Sequence, residues 1–218
     1  MHKFKFIVSL LAMIMIISGT ALAAPSDDAM QAVEKLQHRW EVIKFETAKD
    51  QQEAAFEALA KEAHSVSEQY ADQAEPLVWE AIILSTYAGA KGGLGALSLV
   101  KNARDLLLQA EKIDPTVLGG SVYASLGNLY YQVPGWPIGF GNDKKARDYL
   151  EKALHINPDG IEPNYFYGEF LYEEGEYQNA LQALNKAMNA PRRQGRELSD
   201  VGQRKEIAAK IEDVKRQL

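Results

Sequence analysis

Ala103-Arg-Asp-Leu-Leu107-Leu-Gln-Ala110-Glu-Lys-Ile-Asp-Pro115 is repeated 43 residues later as Ala146-Arg-Asp-Tyr-Leu150-Glu-Lys-Ala153-Leu-His-Ile-Asn-Pro158. Both follow Ala-x3-Leu-x2-Ala-x4-Pro, and a third copy, Ala180-x3-Leu184-x2-Ala187, closes one residue early at Pro191. Residues spaced by four and then three lie on one face of a helix. Alanine on that face lets a neighbouring helix approach closely. Proline ends the helix by withholding an N–H donor. Self-similarity at this period means stacked copies of one supersecondary unit.

Outward from these strings, each copy has a matching helix upstream. Leu126-Gly127-x2-Tyr130 aligns with Tyr167-Gly168-x2-Leu171, and Trp79 begins the earliest clear copy. Val33, Leu36, Trp40 and Ile43, then Phe56, Leu59, Ala63, Val66 and Tyr70, recur at helical spacing. Ser26 is the expected N-cap, with Asp27 and Asp28 in the first turn, and Lys49–Gln51 is the expected break between the first two helices. Further helices are expected over 76–87, 96–113, 118–132, 143–156, 162–174, 177–189 and 200–217. No alternating segment is long enough for a strand, so the fold class is all-α. The last helix, with Val201, Ile207, Ile211, Val214 and Leu218, would cap the apolar end of the array.

The pattern resembles the tetratricopeptide repeat (TPR), a helical hairpin of 34 residues. Asn164 to Pro191, with Gly168, Gly175, Tyr177, Ala180 and Ala187, matches it well, and Ala146 and Ala180 stand 34 apart. Two earlier units carry inserts, Ala88–Lys101 and Val133–Asn142, which are expected to enlarge the turns within their hairpins. Units of this kind behind a leader resemble the T-component family of TRAP transporters, over residues 75–191. Members of that family are often lipoproteins, whereas this chain has no Cys to carry the lipid. The resemblance implies a TPR-like solenoid with enlarged intra-repeat turns and a C-terminal capping helix. Its expected parts are a leader (1–23), an N-terminal hairpin (24–75), repeats (76–191) and the cap (192–218).

The 218 residues include 24 Lys and Arg against 30 Asp and Glu, a net charge of −6. That balance argues against a nucleic-acid partner, which needs a basic surplus. Without Cys there are no disulfides, thiolate metal sites or Cys nucleophiles. Lys3 and Lys5 precede the apolar run Phe6–Ile17, and Ala21-Leu22-Ala23 follows a polar break. This is the three-part export signal, too short to span a bilayer. Cleavage is expected after Ala23, leaving 22 cations against 30 acids and a soluble periplasmic protein with no membrane insertion.

Chemistry-bearing motifs are weak. Gly92-Gly93-Leu-Gly95 and Gly135-x3-Gly139-x-Gly141 lack the Gly-Lys-Ser/Thr ending of a phosphate loop and follow no strand. His38, His64 and His155 are scattered, and Gly120-Ser121 lacks the second glycine of a nucleophile elbow. No catalytic residue, metal site or cofactor is expected.

Binding is the remaining class. In TPR arrays the first helix of each hairpin lines the concave side, and the resemblance puts Glu80, Leu84 and Tyr87 there. Asn128, Tyr131 and Gln132 follow, then Tyr165, Glu169, Tyr172 and Glu173, with Tyr87, Tyr131 and Tyr172 in one recurring slot. Aromatics with a polar tip make adaptable contacts, and an acidic groove favours a neutral or basic protein segment. A small apolar or organic-acid ligand is the alternative. In the loop Pro134, Trp136, Pro137, Ile138 and Phe140, exposing the three large apolar side chains would forgo ~1.5–3 kcal/mol each. They are therefore expected to fold back as a plug over the groove or the helix ends, or to form a lid that contacts a ligand or a partner. Pro191-Arg192-Arg193-Gln-Gly-Arg196 reads as a solvated basic turn.

Overall fold

A computed structural model describes residues 26–218; the expected leader and its cleavage site lie outside the described residues. Among those described are nine helices: α1 (Asp27–Phe45), α2 (Lys49–Gln69), α3 (Ala74–Lys91), α4 (Gly93–Ile113), α5 (Val117–Gln132), α6 (Asp143–Ile156), α7 (Ile161–Glu173), α8 (Tyr177–Met188) and α9 (Glu197–Lys215). The only β contact among them is an isolated bridge between Gly135 and Gly141. The fold is an all-α, TPR-like solenoid of four helical hairpins and a closing helix.

The repeated string does what its spacing predicts. Ala103, Leu107 and Ala110, Ala146 and Leu150, and Ala180, Leu184 and Ala187 are all fully buried where each second helix meets its first. Gly127 and Gly168 are where the backbones come closest. A Cβ on Gly127 would sit 2.5 Å from Leu150 Cγ, and one on Gly168 2.7 Å from Leu184 Cγ. Side-chain caps hold two starts: Ser26 Oγ accepts from Ala29 N (3.2 Å) and Asn142 Oδ1 from Lys145 N (2.8 Å).

The first helices of the hairpins form the inner layer. α1 touches α3, α3 touches α5, α5 touches α7, and α7 touches α9, which returns to touch α1. The second helices, α2, α4, α6 and α8, form an outer layer whose backbones stand apart among the described residues, with α4 and α6 joined through side chains where Tyr149 meets Glu111. The inner layer is thus a closed ring, and the outer layer is separated by grooves.

The seam of the ring is specific. Arg196 pairs with the buried Glu41 and lies over the Trp79 ring (5.5 Å), while Lys44 Nζ meets Glu206 at 3.0 Å. A Cβ on Gly202 would overlap the Phe45 ring, so only glycine lets α9 approach α1 this closely. Trp40 packs edge-on against Trp79 and donates from Nε1 to Thr86 Oγ1 (2.9 Å).

Three boundaries and one set of contacts differ from the sequence reading. The break between α1 and α2 falls at 46–48, because Gln52 turns back to donate to the carbonyls of Ile43, Lys44 and Thr47 at 3.0–3.1 Å. Residues 88–101 do not enlarge a turn. They lengthen α3 and α4, with Gly92 and Gly93 reversing the chain at positive φ (64° and 61°), and Leu97, Leu99 and Val100 pack against the core. The last helix begins at Glu197, with Ser199 and Asp200 buried inside it and Val201 and Leu218 turned to solvent. The basic turn is solvated only in part: Arg192 is exposed, but Arg193 reaches Glu162 (2.5 Å) and Asp200 (2.6 Å), and Arg196 reaches Glu41. Those acids lie on other helices or beyond the turn, where no local pattern announces them.

Candidate binding sites on the inner and outer layers

The sequence-predicted groove residues separate into two places. Asn128, Tyr131, Gln132, Tyr165, Glu169 and Tyr172 come together where α5, α7 and α9 meet. The Glu169 carboxylate accepts from Tyr165 Oη (3.1 Å) and Tyr131 Oη (3.2 Å). Gln132 Nε2 donates to Tyr131 Oη (3.1 Å) and Asn128 Oδ1 (2.8 Å). Lys210 of α9 completes the group, 3.6 Å from Glu169 Oε1 and 4.8 Å over the Tyr172 ring. Glu173 is exposed beyond it.

Electrostatics match that enclosure. Burial holds the Glu169 carboxyl above its usual pKa, against the pull of Lys210 and the two phenols. Burial first, then the Glu169 charge, lifts the Tyr131 and Tyr165 hydroxyls well above the usual phenol value. No buried side-chain N or O among the described residues lacks a hydrogen-bond partner. These residues therefore tie α5, α7 and α9 together, with Gln132 exposed at the rim and the tyrosines half-buried. Lys210 was missed by sequence reasoning, since α9 was read for its apolar spacing only and nothing local marks a lysine that will meet Glu169.

Glu80, Leu84 and Tyr87 lie elsewhere, on the floor of an outer groove between α2 and α4. The cleft encloses about 760 Å³. Its floor is Leu77, Glu80, Leu84 and Tyr87 of α3; its walls include Ala60, Lys61, His64 and Glu68 of α2 and Asp105, Leu106 and Gln109 of α4. Glu80 is buried, accepts from Ser67 Oγ and lies 3.0 Å from His64 Nδ1. The serine bonds the carboxylate and not the imidazole, so this is not a serine-nucleophile arrangement. Tyr87 Oη accepts from Lys91 Nζ (3.3 Å), which also pairs with Glu53.

The reason for the misplacement is a two-residue register error. In the α6–α8 groove the floor is Asn164, Tyr167 and Leu171, spaced three then four. Leu77, Glu80 and Leu84 have the same spacing, and so do Tyr123, Leu126 and Tyr130 of α5. This register puts Ala81, fully buried, level with Gly127 and Gly168, and puts Ser85 level with Tyr131 and Tyr172. Two residues turn a helix by about 200°, which moves Tyr87 from the inner to the outer layer. Ala81 was the available signal, because close helix approach requires a small residue there.

The three outer grooves are filled differently. Over α5, Tyr130 and Tyr149 stack (5.6 Å) beside Tyr123 and Phe140, and Tyr149 donates to Glu111 (3.4 Å). Burial and Glu111 push the Tyr149 hydroxyl up to about 12. Over α7 the trough is smaller, about 410 Å³, with amides of Asn164, Asn179 and Gln182 and the ammonium of Lys186. Only the groove over α3 is both wide and acid-walled.

The loop 133–142 neither plugs nor covers either cleft. Pro134, Trp136, Pro137 and Ile138 are exposed, with Trp136 90% exposed, and only Phe140 folds back, onto Tyr130 and Arg104. The expectation that all three large side chains fold back fails because the loop's own backbone bonds hold its tip outward.

Comparison with known proteins adds the following. The tetratricopeptide repeat family matches residues 140–198. No curated protein matches the chain. Among solved structures, a thermophilic TPR protein from Thermus thermophilus is similar at 14% identity and a TM-score of 0.44, covering 83% of this chain and 97% of that one. Pseudomonas aeruginosa pilF is similar at 17% identity and a TM-score of 0.35, covering 87% and 93%.

Proposed function

We propose that the protein is an exported, non-catalytic scaffold that holds a segment of another protein in the groove over α3. TPR folds serve as protein-interaction scaffolds, and the closed inner ring moves the available surface outward. The observation that carries the reading is the difference between equivalent grooves. Side chains fill the one over α5, whereas the one over α3 keeps an apolar floor between acidic walls. From Leu77 to Tyr87 the floor runs about 15 Å, the length of roughly ten helical residues. Glu57, Glu68, Glu80 and Asp105 line it with Lys61 and His64; Lys61 pairs with Glu57 and Arg104 with Asp105, and the remaining acidic surplus suits a short segment carrying lysine or arginine beside apolar anchors.

Methyl NMR with an amphipathic Leu/Lys helical peptide tests this. The expected result is saturable shifts at Ala60, Leu77, Leu84 and Leu106, lost in Glu68→Lys/Asp105→Lys. Shifts spread over the surface, or equal binding by the reversed-charge variant, would overturn it. A TRAP-type accessory role with a small ligand needs the loop to act as a lid, and no residue of 133–142 lines either cleft. The protein-segment reading is therefore preferred.

A further inference from the structure

Three large apolar side chains stand out in water: Leu94 (91% exposed), Trp136 (90%) and Ile138 (62%). Leu94 sits at the α3–α4 turn, and Trp136 and Ile138 at the α5–α6 turn. α3 and α5 are neighbouring first helices of stacked hairpins, so both turns emerge at the same edge of the array. The frame beneath is stiff. Gly141 N donates to Pro134 O (3.0 Å), Gly139 N to Gly135 O (3.1 Å) and Asn142 N to Tyr130 O (2.8 Å). A Cβ on Gly139 or Gly141 would collide with the carbonyls of Pro134 or Val133. The Phe140 ring is anchored between Tyr130 (5.6 Å) and the Arg104 guanidinium (4.6 Å).

Charge at this edge runs against the rest of the chain. No residue from Pro115 to Asn142 is charged, and the tips are flanked by Lys91, Lys101, Lys144 and Lys145 with Asp143, in a chain of net −6. Lys91 and Lys144 also pair with Glu53 and Asp148. Lys101 and Lys145 form no ion pair among the described residues; Lys145 lies 5.2 Å over the Tyr130 ring.

We infer that this edge docks on an anionic lipid surface, with Trp136, Ile138 and Leu94 entering the headgroup layer and the lysines facing lipid phosphates. A protein partner would require pockets matched to separate knobs, whereas a headgroup layer yields to each knob independently. Tryptophan favours that depth because its ring is apolar and its N–H is polar. The contact is peripheral, since no described helix is long and apolar enough to cross a membrane. It does not depend on the groove over α3.

Trp136 is its own reporter: the other tryptophans, Trp40 and Trp79, are buried, and residues 1–25 contain none. The full chain is titrated with phosphatidylglycerol and with phosphatidylcholine vesicles while Trp136 emission, acrylamide quenching and quenching by brominated lipid are followed. Phosphatidylglycerol should shift the emission to the blue, protect Trp136 from acrylamide and expose it to the brominated chains. In the flotation assay, W136A should lower partitioning by about tenfold, and K101E/K145E by a similar factor with loss of salt dependence. If Trp136 stays accessible to acrylamide even when the chain floats, the leader accounts for binding and the inference fails. An equal blue shift in phosphatidylcholine overturns the assignment to anionic lipid.

Discussion

The Glu169 cluster and the groove over α3 begin from similar ingredients: tyrosine, a buried glutamate and amide or hydroxyl neighbours on first helices of successive hairpins. In the cluster, α9 supplies Lys210, one phenol donates to each carboxylate oxygen, and the group is half-buried under α9. Over α3, both Glu80 oxygens are bonded as well, Oε1 by His64 and Oε2 by Ser67, but no later helix packs over them and Leu77, Leu84 and Leu106 line an unfilled trough. The lesson is that composition does not distinguish mortar from site. What distinguishes them is whether a later element of the chain packs over them, as α9 does at Glu169.

The sharpest way to break this comparison is to open the ring. Arg196→Ala leaves Glu41 buried without its counter-charge, and should cost about 3 kcal/mol in denaturant unfolding. A loss below about 1 kcal/mol would mean that the α1–α9 seam is not holding the inner layer shut. Next in size is the register. Ala81→Val should overpack the α3–α4 approach by about 2 kcal/mol, as Gly127→Ala should for α5–α6. Tolerance of Ala81→Val would restore the register in which Tyr87 faces inward.

Smaller effects separate the hydroxyls. Tyr131→Phe and Tyr165→Phe should each cost about 1 kcal/mol by removing a donor to a buried carboxylate. Tyr87→Phe should stay within about 0.5 kcal/mol, since its hydroxyl meets only the surface Lys91 among side chains. A double-mutant cycle of Tyr131 and Tyr165 with Glu169 would show coupling, and a cycle of Tyr87 with Glu169 none.

The last test is pH. Burial keeps Glu169 protonated to higher pH in the folded protein than in the unfolded chain. The unfolded chain releases its proton first, so this residue's contribution falls as pH rises from about 4.3, and its penalty is complete above the raised value. Glu162 behaves oppositely. Burial works against its charge, but Arg193 outweighs burial and brings the pKa below normal. The stability it adds is present above the ordinary value and lost as pH falls through the lowered one. Glu169→Gln should therefore flatten the decline on the neutral side of the unfolding profile, and Glu162→Gln the decline on the acid side.

Much of the fold was legible because its causes are local. The Ala-x3-Leu-x2-Ala strings, Gly127 and Gly168 carry helix, face and packing distance in one pattern, and the hairpin order follows. The loop 133–142 was legible as unusual, but its outward tip depends on carbonyls meeting glycine N–H groups inside a folded turn. Of the eight residues expected to share one groove, six stand together on α5 and α7. Glu80 and Tyr87 do not, because Trp79 invited an alignment two residues away from the one that Ala81 supports.

Periodicity, small residues at contact positions and helix-ending prolines determine by themselves that this chain forms stacked helical hairpins, since each acts within a turn or two of helix. Closure of the inner ring, pairing of Arg196 with Glu41 and of Lys210 with Glu169, and the emptiness of the groove over α3 were decided only in three dimensions. They rest on contacts between residues as many as 162 positions apart, whose meeting depends on the summed curvature of every repeat between them.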